Sequence, residues 1–199
     1  MSAPPPAAHP GDPIVLFEAA FESAKKREPF EANAMSLATV DEKGRPSVRV
    51  VLLKGVDAAG FVFFTNYQSR KALELDGQRE AALAFHWPKG EEQVRVEGAI
   101  TRVSAEESDA YYATRPRLSQ LGAWGSEQSR PGTTAELAAR IAELEARYPG
   151  EVPRPPHWGG YRLTPRAIEF WYGRANRLHE RHRYEREGAG PWAHTSLFP

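Results

Sequence analysis

The chain has 199 residues, with 26 lysines plus arginines against 26 aspartates plus glutamates, so its formal net charge is zero. Broad electrostatic binding to DNA, RNA or anionic lipid needs a sustained positive excess, which this chain lacks. It has no cysteine, which excludes disulfides, thiolate metal sites and cysteine nucleophiles and fits a reducing, cytoplasmic setting.

Residues 1–13, "MSAPPPAAHPGDP", are rich in proline and alanine and read as a flexible tail without the apolar core of a signal peptide. Nowhere does an apolar run approach the roughly 18 residues of a membrane span. Residues 14–199 read as a single domain. The segment "DPIVLFEAAFESAKKRE" predicts a helix: Asp12 can cap it, Pro13 suits its first turn, and Ile14, Phe17 and Phe21 recur at helical spacing.

From Met35 the apolar period shifts towards two. "MSLATVD", "SVRVVLLKGVD", "FVFFTN", "AALAFHW" and "EQVRVEGAITRVS" predict strands, separated by the turn residues of "EKGRP", "DAAG" and "PKGE". Helices are predicted over "SRKALEL", "AEESDAYYATR" and "TTAELAARIAELEARY". Without βαβ alternation, the pattern is that of a mainly β fold with peripheral helices, an antiparallel sheet or barrel.

Within "RVVLLK", Arg49 and Lys54 have opposite strand parity, and Val50, Val51, Leu52 and Leu53 between them predict a strand buried on both sides. Two cations bounding such a strand need anionic partners, either structural ion pairs or two separate anion sites. Arg70 and Lys71 sit at a helix start capped by Ser69, an arrangement suited to phosphate and equally to an ordinary solvated helix end. Tyr111 and Arg115 are four apart on one helical face, Pro116 predicts the helix end, and Ser119 follows within reach. These three either form a phosphate cradle or a plain capped helix end.

Strand alternation puts Gln93 on the polar side of "EEQVRVEG", while Gln128 and Ser129 lie on a polar turn. Trp171 precedes "RANRLHERHRYERE", residues 174–187, in which Arg177, His179 and Arg181 share strand parity. His179 and His182 are three apart, but the surrounding arginines repel a cation, so no metal is expected.

In order along the chain, "RVVLLK", "FFTNYQSRKA", "QVRVEG", "YYATRPRLSQLGAW", "SEQS", "PPHWGGYRLTPRAIEFW" and "NRLHERHRYER" resemble the pyridoxine (pyridoxamine) 5′-phosphate oxidase family from about Phe30 onward. The resemblance implies the FMN-binding split β-barrel, a homodimer with FMN at the subunit interface, and oxidation of pyridoxamine or pyridoxine 5′-phosphate to pyridoxal 5′-phosphate. Oxygen would be reduced to peroxide after net hydride transfer from the substrate C4′ carbon to the flavin. It implies FMN contacts from the Arg49–Lys54 segment (with Val50, Val51, Leu52 and Leu53), Phe64, Thr65, Arg70, Lys71, Gln93, Gln128, Ser129, Trp171 and Arg181. It implies substrate contacts from Lys54, Tyr111, Arg115 and Ser119 around the phosphate, and from Arg177, Leu178 and His179 over the ring, Arg177 and His179 being the catalytic pair.

Phe64 stands where the family has Tyr, Tyr172 where it has Gln, and Glu180 where it has Asp. Leu118 replaces a polar residue, and "SLFP" replaces the usual "RLAP" or "RLSP". Rival readings are a split-barrel oxidase of phenazine biosynthesis, a non-catalytic module carrying flavin or pyridoxal phosphate, and a nucleic-acid binder.

Overall fold

The computed structural model describes residues 11–199. The tail expected over residues 1–13 lies outside the described residues up to residue 10, and its last residue already belongs to a helix. That helix, α1 (Pro13–Arg27), starts where Asp12 Oδ1 accepts the Ile14 amide at 2.9 Å. Lys25, Lys26 and Arg27 fill its last turn, where they complement the carbonyl end of the helix dipole. Its inward face buries Ile14, Phe17 and Ala24. Phe17 meets the rings of Phe61, Phe85 and Trp87 at 4.8, 4.9 and 6.1 Å, and burial of one such ring contributes about 2–3 kcal/mol.

The remaining core is one nine-stranded antiparallel sheet. Its strands are β1 (Ala34–Val40), β2 (Pro46–Leu52), β3 (Gly55–Asp57), β4 (Gly60–Asn66), β5 (Glu80–Trp87), β6 (Glu92–Arg102), β7 (Trp158–Tyr172), β8 (Glu180–Glu185) and β9 (Ala193–Leu197). Seven run in the order β2-β1-β5-β6-β7-β4-β3, while β8 pairs with β7 and then with β9. The helices are α2 (Arg70–Gln78), α3 (Ala105–Ala113), α4 (Arg117–Gly125) and α5 (Thr134–Arg147).

Strand β7 changes partner along its length. Its first half, to Leu163, pairs with β4, and its second half, from Ala167, pairs with β8. The change falls at Pro165, which has no amide hydrogen to donate, beside a bulge in β7 at Arg166, which is passed over as the register steps from Glu97–Ala167 to Gly98–Pro165. Gly98 is required there by close approach: a Cβ would lie 2.1 Å from the Thr164 carbonyl oxygen.

Two sequence expectations change. The segment "SVRVVLLKGVD" is not one strand but two, with Leu53 and Lys54 between β2 and β3. Nor is β2 buried on both sides, because it pairs only with β1 and has no layer over its outer face. Val48 and Val50 are therefore 68% and 66% exposed.

Candidate active site

A cleft of about 640 Å³ opens where the end of β2, the middle of β4, the start of α2, the α3–α4 corner and the start of β7 meet. Of the residues singled out in the sequence, Val50, Val51, Leu52, Lys54, Phe64, Thr65, Lys71, Tyr111, Arg115, Ser119 and Gln128 line it. Its wall is a stack of three rings. Phe64 lies 4.1 Å from Tyr111 and 5.4 Å from Trp158, with interplanar angles of 18° and 9°. Gly160 makes room for Phe64, since a Cβ there would come within 2.8 Å of that ring.

Arg115 lies across this wall, its guanidinium 4.6 Å from the Trp158 ring centre and 5.6 Å from Tyr112. Its Nη1 is buried without a hydrogen-bond partner among the described residues. Burial presses its pKa down, as expected for a cation with no carboxylate beside it. Lys54 sits 5.8 Å over the Tyr111 ring. Ser119 is held at the start of α4 by a bond from its amide to the Pro116 carbonyl.

Lys71 is a further cation of the cleft without a carboxylate partner among the described residues. It is 8% exposed, and its Nζ donates to Thr65 Oγ1, Ser69 Oγ and Gln128 Oε1 at 3.1, 3.1 and 3.2 Å. All three acceptors are neutral, and burial together with the nearby Arg49 charge lowers its pKa to about 8. Ser69 occupies the N-cap position of α2 but makes no capping bond; its hydroxyl donates to the Asn66 carbonyl instead. The Arg70 amide is taken by Ser129 Oγ at 3.2 Å.

Arg49 is no bare cation. Its guanidinium donates to Thr39 Oγ1, Ser47 Oγ, the Leu37 carbonyl and Glu74 Oε2, and Arg70 Nε reaches the other Glu74 oxygen at 2.7 Å. The structural ion pair weighed for Arg49 is thus present, and Arg49 lies outside the cleft lining. Leu53 packs into the main core, 4% exposed.

The other residues singled out gather elsewhere. Gln93, Trp171 and Arg181 form one row across β6, β7 and β8. Arg181 Nε donates to the buried Glu169 at 2.8 Å and its Nη1 to the Phe198 carbonyl. The His179 ring packs on Trp171, centres 4.6 Å apart. Strand parity does not extend to Arg177, because β8 begins only at Glu180 and Arg177 ends a short 3-10 turn with φ of 60°. Arg177 and Leu178 are exposed at its tip. None of this second group lines the first cleft.

The model of the family described as "Pyridoxamine 5'-phosphate oxidase" matches residues 21–148. The chain belongs to that family. A second model, "Pyridoxine 5'-phosphate oxidase C-terminal dimerisation region", matches residues 158–199, so the chain carries the family's dimerisation region, made here of β7, β8 and β9. Curated relatives named pyridoxine/pyridoxamine 5′-phosphate oxidase include one from Rubrobacter xylanophilus, 57% identical over 94% of this chain and 87% of its own length. One from Anaeromyxobacter dehalogenans is 54% identical over 98% of both chains.

Among solved structures, PhzG from Burkholderia lata, in complex with tetrahydrophenazine-1-carboxylic acid, is 33% identical. It superposes with a TM-score of 0.92 over 100% of this chain and 98% of its own. A pyridoxamine 5′-phosphate oxidase-related, FMN binding protein from Nostoc punctiforme shares the fold, with a TM-score of 0.76 at 20% identity over 92% and 97% of the two chains. The split-barrel architecture expected from the resemblance is the architecture of these neighbours.

In this member of the pyridoxamine 5′-phosphate oxidase family, Phe64 stacks between Tyr111 and Trp158 and brings no hydroxyl to the cleft. Sequence reasoning missed Trp158, which supports both Phe64 and Arg115, and Glu74 and Glu169, which hold the arginines. The run "PPHWGG" marks Trp158 only as an aromatic before two glycines, and nothing local distinguishes Glu74 from a solvated helix carboxylate.

Proposed function

We propose that the chain is an FMN-dependent oxidase converting pyridoxamine 5′-phosphate and pyridoxine 5′-phosphate to pyridoxal 5′-phosphate, with oxygen reduced to hydrogen peroxide. It would act as one domain over residues 14–199, in a homodimer whose FMN lies at the subunit interface. The observation that carries the reading is Arg115, a half-buried guanidinium whose Nη1 is a buried, unmet donor, in a cleft that also holds Lys54, Tyr111 and Ser119. A buried unpaired cation is costly and is stabilised by an anion brought by a ligand. The substrate's phosphate supplies one.

The donor set also fits FMN. Lys71, with three neutral acceptors around it, suits the flavin phosphate, and Thr65 and Gln128 stand beside it. Bound FMN supplies the electron sink and passes the electrons to oxygen. The chain's own residues bind and orient. Lys54, Tyr111, Arg115 and Ser119 anchor the substrate phosphate, while Arg177 and His179 cover its ring. Gln93, Trp171 and Arg181 reach the flavin from the second cluster. That cluster stands apart from the cleft within one chain, so a partner subunit would bring the two together.

The test is an absorbance assay on FMN-reconstituted protein in air, following pyridoxal phosphate and peroxide together. Equal product and peroxide are expected from the phosphorylated substrates, with little from unphosphorylated pyridoxine. Arg115→Ala should cost about 10²-fold in kcat/KM, as expected for losing a charge-assisted anchor. Equal turnover of pyridoxine with and without its phosphate would overturn the reading and favour the chemistry of the phenazine-type neighbour.

A further inference from the structure

The seven residues between β7 and β8, "GRANRLH", hold a backbone that their sequence does not favour. Asn176 and Arg177 have φ of 56° and 60°, consecutive left-handed residues without a glycine. Asparagine tolerates this; arginine does so at a cost of about 1–2 kcal/mol. Something must hold the loop, and Arg174 does. Its Nε and Nη2 grip the two Glu180 oxygens at 2.9 and 3.2 Å, closing the neck of the loop. Its Nη1 donates to the Gly173 carbonyl, whose residue is itself tied to the Glu91 carbonyl through its amide at 2.7 Å. The guanidinium keeps the Glu180 carboxyl below the usual carboxylate range.

The same residue reaches the imidazole. The Arg174 amide donates to His179 Nδ1 at 3.2 Å, while Trp171 packs on the ring. An Nδ1 lone pair engaged by a donor puts the proton of the neutral ring on Nε2. We infer that Arg174 and Glu180 are a positioning pair that fixes the loop and holds His179 as the Nε2–H tautomer, so that it meets substrate as a hydrogen-bond donor. The inference rests on the proposed function, in which Arg177 and His179 touch substrate. Arg174 and Glu180 act only through them.

The experiment uses the FMN-reconstituted protein and its Arg174→Gln, Glu180→Gln and Glu180→Asp variants. Steady-state kinetics with pyridoxamine 5′-phosphate run beside flavin titrations and side-chain ¹⁵N NMR of the histidines. The Gln variants should raise KM about tenfold and mix the His179 tautomers, with flavin affinity kept within about twofold. Glu180→Asp, which keeps the carboxylate, should restore most of the loss. Wild-type KM and a single Nε2–H tautomer in both Gln variants would overturn the inference, and so would a parallel fall in flavin affinity, which marks a merely structural role. His179→Asn separates the two readings: if it retains wild-type turnover, the assignment of the site fails; if it loses turnover while the Gln variants do not, only the clamp fails.

Discussion

Lys71 holds its proton against its surroundings: burial, and then the Arg49 charge, bring its pKa to about 8 from an ordinary 10.5. Between those values the unfolded chain binds more protons than the folded one, so this residue makes the flavin-free protein more stable as pH rises through that window. A bound phosphate reverses the preference, because an adjacent anion favours the ammonium. Flavin binding should then take up a proton, and FMN affinity should weaken by about tenfold per pH unit above about pH 8. Fluorescence titration of FMN from neutral to alkaline pH checks this; Lys71→Met should remove the slope, and an unchanged slope in that variant would assign it elsewhere. The cations of the site could be read from the sequence because arginine and lysine advertise themselves. Their governors could not: Glu74 lies 25 residues from Arg49, and Trp158 lies 43 from Arg115. Only folding reveals that Arg49 is paired and Arg115 is not.

The elements were mostly visible from apolar periodicity, and the exceptions have physical causes. Pro116 was read as a helix stop, but it also stands at the N-cap of α4, since a residue without an amide hydrogen suits a helix start as well as an end. The break at Leu53 and Lys54 carries no turn residue, so the continuous apolar run concealed it. The C-terminal pair β8 and β9 holds a feature no periodicity shows. His182 Nδ1 lies 3.1 Å from His194 Nε2, with the Tyr172 ring beside His182 and the Tyr184 ring beside His194. Burial, and then the His194 charge, lower the His182 pKa, partly opposed by Glu180. A histidine depressed in the folded state contributes stability above its unfolded pKa of 6.5 and loses it as pH falls below that. Thermal melts should therefore fall between about pH 7.5 and pH 5.5 through this pair. His182→Phe should flatten that dependence; an identical acid loss in the variant would clear the pair of any part in it.

For the whole molecule, the misreading of β2 is instructive. Its valines have the composition of a strand covered on both faces, yet in the single chain Val48 and Val50 stand bare on an edge strand. Such edges invite pairing or covering by another chain. Val50 also lines the cleft, so whatever covers this edge sits next to the site. Val50→Asp should convert the dimer to monomer in sedimentation velocity and release flavin together with it. A variant that stays dimeric and yellow would place the interface away from β2.

Strand β7 runs from Trp158, beneath Arg115, to Trp171, beneath His179, and at about 3.3 Å per residue that is about 43 Å of chain. In the proposed reading, one polypeptide offers the two halves of the chemistry at opposite ends of a single strand, and each finished centre would be a loan between subunits. The genetic consequence is complementation. A chain broken at Arg115 and another broken at Arg177 should each be inactive alone, whereas co-expressed they should assemble mixed dimers in which one centre inherits both intact halves. Random pairing would leave about a quarter of all centres whole, so the co-expressed mixture should recover about a quarter of the wild-type activity, and a mixture as dead as either variant would overturn the sharing.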